Sequence, residues 1–253
     1  MVKYSIPECE PIKEQHGNTE VFLCIHGFCA SPATFRPYVD QILSAGYDVY
    51  APLLSGHGTK YQDMLEVTSK QWVEDVCTVF ENLVQKYEKV HIFGVSMGGG
   101  LGAYLAGHYA DCGKIGKVLL LVPGFGLRNK EFHTMDYSTA GTEKIPLIQQ
   151  SMLTPELTAS AFVYEYMYLR SIGELVKICN VCGKELSNIQ SPVWIIYSAN
   201  DPVVDPEAIE NAAKEITSLR LLEKVEHSGH NILLDDDCPK VLSYVEECLN
   251  AEI

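Results

Sequence analysis

Ser96 stands in a setting that could make a serine hydroxyl reactive. The stretch VHIFGVSMGGGLGAY at 90–104 opens with residues typical of a strand and closes with residues typical of a helix, and Ser96 lies between Gly94 and Gly98 at the junction. Gly-x-Ser-x-Gly at such a junction is the spacing of a nucleophile elbow, a tight turn that exposes the serine Oγ. The flanking glycines remove Cβ atoms that would collide in the turn. The alternative is an ordinary serine in a glycine-rich turn.

A serine nucleophile needs a histidine base and a carboxylate that orients the base. Two carboxylates follow the predicted strand at 193–197. Asp201 lies in the turn directly after this strand, whereas Asp205 precedes Pro206 and has the position of a helix N-cap. We therefore expect Asp201 to be the acid of a catalytic triad, with Asp205 as the weaker alternative.

Two histidines follow the next predicted strand, at 220–225. His230 comes after a glycine and before an apolar run, so it is expected on a loop that re-enters the core. His227 lies closer to the strand. We expect His230 to be the base, and the alternative for either residue is a hydrogen-bonded loop histidine.

Two backbone N–H groups are expected to form an oxyanion hole beside Ser96. Met97 begins the helix after the serine, so its amide is free of an intrahelical acceptor. The second donor is expected from the HGF stretch after the strand at 21–25, and we assign it to Phe28. A second histidine flanked by glycines, His57, follows another strand end and is expected to shape the rim of the site.

The predicted elements explain how these residues could meet. Strands at 21–25, 47–50, 90–93, 117–122, 193–197 and 220–225 alternate with helices at 33–44, 69–87, 97–109, 206–216 and 239–249. This alternation predicts a mostly parallel sheet with helices on both faces. Sheets of this kind bind ligands beyond the carboxyl ends of their strands, where all of the expected catalytic residues fall.

The alternation stops between residues 124 and 190, a stretch too long for a plain connection. It contains an aromatic-rich stretch at 161–170 that we interpret as helical, and we expect a cap of short helices. The predicted domains are a core at 1–123 and 191–253 with the cap at 124–190 between them. A helical decoration without a role in binding is the alternative.

Composition limits the partners of the protein. A formal charge of −14 argues against a nucleic-acid partner, because phosphate binding needs clustered Lys and Arg. The first twenty residues lack a signal-peptide core, and no apolar run is long enough to span a bilayer. We therefore expect a cytoplasmic protein without stable membrane insertion, and the oligomeric state stays open.

Nine cysteines without a framework spacing are expected to be reduced and mostly buried. Cys179-x-x-Cys182 has the spacing of a metal or redox pair, but no partner stands at metal-ligand spacing, so no metal and no cofactor are expected.

Five stretches together resemble a known family. They are HGFCASP at 26–32, APLLSGHGT at 51–59, GVSMGG at 94–99, SANDPVVD at 198–205 and HSGH at 227–230. In this order they are similar to the α/β-hydrolase carboxylesterases of the bacterial monoacylglycerol lipase type. The resemblance implies an α/β-hydrolase fold with a small helical cap between the sixth and seventh core strands. It also implies Ser96, Asp201 and His230 as the triad, with the Phe28 and Met97 amides as oxyanion donors.

The resulting expectation is a serine esterase that hydrolyses small esters of short to medium acyl chains through an acyl-enzyme. Feruloyl or cinnamoyl esters and thioesters remain alternatives within the enzyme class, and a non-catalytic ligand-binding protein is the alternative from another class. The residues expected to contact the substrate are Phe28, His57, Phe125, Phe162 and Tyr166.

Overall fold

The computed structural model describes residues 6–147 and 163–253. Its main sheet has seven strands in the order β1-β3-β2-β4-β5-β8-β9. β1 pairs antiparallel with β3, and every other pair in this sheet is parallel. The strands are β1 (Ile12–Glu14), β2 (Glu20–Ile25), β3 (Asp48–Ala51), β4 (Lys89–Val95), β5 (Ile115–Leu121), β8 (Val193–Ser198) and β9 (Leu219–Val225).

The central strands are apolar on both faces because helices cover both. Gly102 of helix α3 (Met97–His108) lies so close to β4 and β5 that a Cβ would stand 2.7 Å from Ile92 Cγ2 and 3.4 Å from Leu120 Cδ2. On the opposite face, Lys117 Nζ donates to Leu249 O of helix α7 (Cys238–Asn250) at 2.6 Å. Since side chains alternate along a strand, β5 contributes to two apolar layers, and all seven of its residues are buried.

The described residues form seven helices, of which two belong to the insertion at 124–190 and the other five flank the sheet. They are α1 (Val39–Ser44), α2 (Ser69–Leu83), α3 (Met97–His108), α4 (Glu131–Thr134), α5 (Leu169–Cys182), α6 (Pro206–Ala213) and α7 (Cys238–Asn250). Shorter 3-10 helices span Pro7–Cys9, Pro32–Tyr38, Tyr61–Glu66, Ala110–Cys112, Tyr137–Thr139 and Gly183–Asn188. None of the helices in the described ranges is long and apolar enough to cross a membrane.

The single helix predicted at 33–44 is divided in the structure. Residues Pro32–Tyr38 form a 3-10 helix that contains Pro37, and α1 follows at Val39. Proline lacks the N–H that an α-helix would use at this position, which explains why the α-helix begins only after it.

The segment at 124–190 joins β5 to β8, the fifth and sixth sheet strands in chain order. The prediction of a helical stretch at 161–170 is wrong for residues 163–168, whereas Leu169 and Arg170 do lie in a helix. Residues Tyr166–Tyr168 form strand β7, which pairs antiparallel with β6 (Lys144–Pro146) in a separate two-stranded sheet. Helix α5 follows directly, so the insertion combines helices with a small antiparallel sheet.

Candidate active site

The turn that carries Ser96 is a strained junction between β4 and α3. Ser96 has φ 55° and ψ −120°, a conformation that costs a non-glycine residue about 1–3 kcal/mol. The chain approaches itself closely on either side. A Cβ on Gly94 would lie 2.3 Å from Gly98 O, and one on Gly98 would lie 1.9 Å from Ile25 O. The two glycines therefore permit the turn, and the strain at Ser96 is maintained by the packing around it.

The structure brings the three residues of the expected triad together. His230 Nε2 lies 2.9 Å from Ser96 Oγ, and His230 Nδ1 lies 2.7 Å from Asp201 Oδ2. The other carboxylate oxygen, Asp201 Oδ1, accepts hydrogen bonds from the backbone N–H groups of Val203 and Val204 at 2.8 and 2.9 Å. The carboxylate is thereby held to accept a hydrogen bond from the Nδ1–H group, and this tautomer leaves Nε2 unprotonated and able to take a proton from the serine.

The alternative acid and base lie outside this hydrogen-bonded array. Asp205 is the N-cap of α6, where its side chain accepts from the Glu207 N–H at 3.1 Å, and it forms an ion pair with Lys130. The side chain of His227 is exposed, and its backbone N–H donates to Asp237 Oδ2 at 2.7 Å. The structure thus separates both alternatives from the serine.

The histidine loop, residues 227–230, is fixed by acidic residues that the sequence reasoning missed. Asp235 Oδ2 accepts from the Gly229 N–H at 2.7 Å, and Asp237 Oδ2 accepts from the His227 N–H. The Ser198 hydroxyl donates to Ser228 O. The run of three aspartates at 235–237 was the available signal, because short carboxylate side chains commonly bond nearby backbone N–H groups.

Both expected oxyanion donors border Ser96. Met97 is the first residue of α3, so its N–H has no acceptor within the helix. Phe28 lies in the loop after β2, and this loop abuts the elbow so closely that a Cβ on Gly27 would lie 3.2 Å from Ser96 Cβ. The first residue of α3 and the loop that carries Phe28 therefore meet at the serine.

Two cavities open on Ser96 and Phe28. The first, which we call the histidine-side cavity, includes His230, Thr34, Asn231 and Leu234 in its lining. The second is the cap-side cavity, which lies against the insertion at 124–190. Its lining includes Met97, Leu127, Phe132, Met167, Ile172 and Leu175. The serine thus lies where two largely apolar spaces join.

The remaining residues expected to contact substrate have varied positions. His57 is buried behind the loop that carries Phe28, and Phe125 packs partly buried against the core. The ring of Tyr166 packs against Lys144, whose Nζ lies 4.2 Å from the ring centroid. These three stand outside the lining of the two cavities, Phe28 lines both, and Phe162 lies outside the described residues.

Burial keeps the titratable groups next to the loop that carries Phe28 uncharged. It raises the pKa of the Cys29 thiol and lowers the pKa of His57 to about 4. Cys179 and Cys182 are buried on α5, and burial raises the pKa of Cys179 to about 12. Within the described ranges, no three His, Cys, Asp or Glu side chains group as metal ligands.

Comparison with known proteins places these features in a family. The family model described as Serine aminopeptidase, S33 (Hydrolase_4) matches residues 17–237. A thermostable monoacylglycerol lipase from Bacillus sp. (strain H-257) is 30% identical over 244 residues, which cover 92% of this chain and 91% of the relative.

Solved structures have the same fold. A structure from the lipolytic enzymes LipS and LipT, which are metagenome-derived, has a TM-score of 0.84 at 25% identity, and the match covers 97% of this chain and 98% of that chain. The monoacylglycerol lipase of Paleococcus ferrophilus has a TM-score of 0.76 at 17% identity and covers 95% of this chain and 97% of its own. The predicted α/β-hydrolase fold and the predicted enzyme class, a serine hydrolase of the carboxylesterase group, are confirmed.

Proposed function

The chain belongs to the serine aminopeptidase S33 family, and we propose that it hydrolyses carboxylic esters with Ser96 as nucleophile, His230 as general base and acid, and Asp201 as the residue that orients the histidine. One observation carries the proposal: the unbroken hydrogen-bonded series from Ser96 Oγ through His230 to Asp201, at 2.9 and 2.7 Å, beside two apolar cavities.

The proposed reaction has two acyl-transfer steps. Ser96 Oγ attacks the ester carbonyl while its proton passes to His230 Nε2, and the N–H groups of Phe28 and Met97 stabilise the oxyanion. The C–O bond to the alcohol then breaks, and the alcohol leaves with the proton from His230. Water next attacks the acyl-enzyme while its proton passes to His230. The bond between the acyl carbon and Ser96 Oγ then breaks as His230 returns the proton to Oγ, so the carboxylic acid is released and the free serine is regenerated. The chemistry uses only this chain's groups and water.

The position of His230 assigns the two cavities to the two sides of the substrate. A general acid must lie within hydrogen-bond reach of the leaving oxygen. Since His230 belongs to the lining of the histidine-side cavity, the alcohol occupies that cavity. The acyl chain then extends into the cap-side cavity, whose lining includes Met97.

The apolar lining of the cap-side cavity suits a short to medium acyl chain. Met167, Ile172 and Leu175 come from the insertion at 124–190 and supply apolar walls, which supports a role for this insertion as a cap over the site. Relatives named as monoacylglycerol lipases make monoacylglycerols the first esters to test. Aromatic esters of the cinnamoyl kind and thioesters are the next.

The family description also raises peptide hydrolysis, but the site favours esters. An aminopeptidase needs an anionic group to bind the ammonium of the substrate's N-terminus. Among the described residues that line the two cavities, none carries a carboxylate side chain. A neutral ester fits this lining better than a charged peptide terminus does.

We place the enzyme in the cytoplasm, because the nine cysteines, all within the described part of the chain, are free.

A paired chemical and kinetic experiment tests the proposal. A fluorophosphonate probe is expected to label the wild-type protein and not Ser96→Ala, and the variant is expected to lose about 10⁶-fold in kcat toward p-nitrophenyl butyrate. Monoacylglycerols of graded chain length, methyl ferulate, an acyl thioester and an amino-acid p-nitroanilide then define the substrate class. Full activity in Ser96→Ala would overturn the proposal. Labelling of Ser96 without cleavage of any of these substrates would overturn the assignment to ester hydrolysis, because the serine is then activated for another reaction. Absence of labelling in the wild-type protein would support the non-catalytic alternative.

A further inference from the structure

The loop that carries the Phe28 amide is held in an unfavourable conformation from outside. Cys29, directly after Phe28, has φ 60°, in the left-handed region that non-glycine residues rarely adopt. Both of its backbone polar groups are bonded to other parts of the chain. The N–H of Cys29 donates to His57 Nε2 at 3.0 Å, and its carbonyl accepts from the Tyr164 N–H at 3.0 Å. The loop conformation therefore depends on these two contacts.

The contacts of His57 define its tautomer. Because the Cys29 N–H is a donor, Nε2 must be an unprotonated acceptor. Nδ1 lies 3.0 Å from Ser55 O, so it carries the proton and donates to that carbonyl. The imidazole is 2% exposed, and desolvation lowers its pKa to about 4, which keeps the ring in the neutral form that this arrangement requires.

The backbone that His57 bonds to is itself anchored on helix α2. Ser55 donates from its N–H and its hydroxyl to the two oxygens of Asp75, at 2.7 and 3.1 Å. Trp72 Nε1 donates to Ser55 O at 3.0 Å, and the Trp72 ring packs edge-on against Phe28 with centroids 5.8 Å apart. His57 thus connects a firmly held helix to the oxyanion loop.

A second histidine makes the opposite connection. His26 Nε2, in the loop after β2, accepts from the Leu54 N–H in the loop after β3 at 3.1 Å, and its Nδ1 lies 2.9 Å from Gly27 O. The His26 and His57 rings lie 4.9 Å apart at 68°. Each loop thus supplies an imidazole that accepts a backbone N–H of the other, which fixes the two loops relative to each other.

We propose that His57 is a positioning residue for ester hydrolysis, which holds the Phe28 amide at the oxyanion through the hydrogen bond from Cys29 to its Nε2. This inference rests on the proposed function, because it gives the Phe28 N–H the role of an oxyanion donor. His57 is not itself a catalytic residue, since it lies behind the loop and outside the lining of both cavities. It acts by placing a donor whose misplacement affects the transition state more than the bound ester.

A matched pair of substitutions tests the role. In His57→Asn the side-chain amide reaches only the position of Nδ1, so the acceptor for Cys29 is lost. In His57→Gln the amide oxygen reaches the position of Nε2 and can still accept. Loss of one oxyanion donor lowers kcat by about 10²–10³-fold, so we expect a drop of about 10- to 100-fold in His57→Asn, with KM within about threefold of wild type. We expect His57→Gln to regain most of kcat.

A boronic acid inhibitor, which forms a tetrahedral adduct on the serine, supplies an independent measurement. Its affinity is expected to fall in His57→Asn by about the same factor as kcat, because both depend on the oxyanion donors. A merely structural loss would lower the melting temperature and affect both variants alike. Unchanged kcat in folded His57→Asn, or equal losses in the Asn and Gln variants, would overturn the inference.

A second variant and a comparison with Ser96→Ala distinguish failure of this inference from failure of the proposed function. If the Asn variant does not fold, Tyr164→Phe removes a hydroxyl that donates to Gly56 O and accepts from the Thr59 N–H, on either side of His57. We expect this variant to lose about three- to tenfold in kcat with unchanged KM, and full kcat would count against the role of His57. If Ser96→Ala is inactive while folded His57→Asn is fully active, the inference fails and the proposed function stands. If Ser96→Ala is fully active, the proposed function fails first.

Discussion

His230 Nε2 lies 2.9 Å from Ser96 Oγ although 134 positions separate the two residues. The parallel sheet produces this contact. Ser96 follows β4 and His230 follows β9, and the carboxyl ends of parallel strands lie at one edge of the sheet. Asp201 follows β8, which pairs with β9, so the proposed acid and the proposed base follow neighbouring strands. The order of strands in the sheet thus determines which loops can bring their side chains within hydrogen-bonding distance.

Asp201→Asn is expected to lower kcat by about 10⁴-fold with little loss of stability. The amide can still accept from Val203 and Val204, so the turn should persist, but its NH₂ group faces Nδ1 and favours the tautomer with the proton on Nε2. Hydrolysis of p-nitrophenyl butyrate and a thermal melt measure the two effects. Asp205→Asn is the control, because asparagine is also a good N-cap, and its kcat should stay within about twofold. A loss below tenfold in Asp201→Asn would exclude Asp201 as the orienting acid.

Asp235→Ala is expected to displace the histidine loop. The substitution removes the carboxylate that accepts from the Gly229 N–H, next to His230. A shift of this kind in a catalytic group can lower the rate up to about 100-fold. We expect kcat to fall about tenfold and the free energy of unfolding to fall by about 1 kcal/mol. Asp236→Ala, at an exposed neighbour, is the matched control and should leave both quantities near wild type. Equal behaviour of the two variants would show that Asp235 does not position the loop.

Much of the core could be predicted from the sequence because its strands are continuous apolar runs. The residues of the proposed triad could be selected from the sequence because each follows such a strand, and the structure brings their side chains within hydrogen-bonding distance. The edge strand β1 was missed, since only Ile12 of its three residues is buried and no periodicity marks it. Strand β7 was misread as helical, because a short aromatic run fits either period and its partner strand lies some 20 positions earlier, at Lys144–Pro146.

The contacts of His57 could not be predicted for a different reason. The sequence shows a histidine between two glycines after a strand, which is consistent with a rim, a ligand or a structural role. The acceptor role of its Nε2 depends on the distance between two loops, and this distance follows from the pairing of β2 with β3. Local sequence carries little information on contacts between loops, whereas the periodicity of apolar residues indicates the helices and strands directly.

Buried neutral histidines are expected to make the fold sensitive to mild acid. Burial lowers the pKa of both His57 and His91 to about 4, and that of His26 well below the ordinary value of 6.5. Between pH 6.5 and 4 the unfolded chain therefore binds protons that the folded chain does not, and stability falls as the pH falls through this window. His57 and His91 are each expected to lower the free energy of unfolding by about 1.5 kcal/mol between pH 6.5 and 5.

Urea unfolding at a series of pH values measures this dependence. His57→Gln is expected to reduce the slope of unfolding free energy against pH between 5 and 6.5, and His16→Gln, at an exposed position, should leave the slope unchanged. Stability that stays level from pH 6.5 to 5 in the wild-type protein would contradict the neutral state of these rings.

Leu175→Trp is expected to shorten the acyl chain that the enzyme accepts. Leu175 is buried on α5 and lines the cap-side cavity, so a larger ring occupies space that the distal carbons of an acyl chain would fill. Because each methylene in an apolar pocket is worth about 1–3 kcal/mol, kcat/KM for an octanoate ester should fall at least tenfold relative to an acetate ester. Thr34→Phe narrows the histidine-side cavity and should discriminate against long alcohols instead, with hexyl and methyl acetate as the test pair. If the two variants exchanged these effects, the acyl and alcohol sides would be reversed, and the leaving group would lie away from the cavity that contains His230.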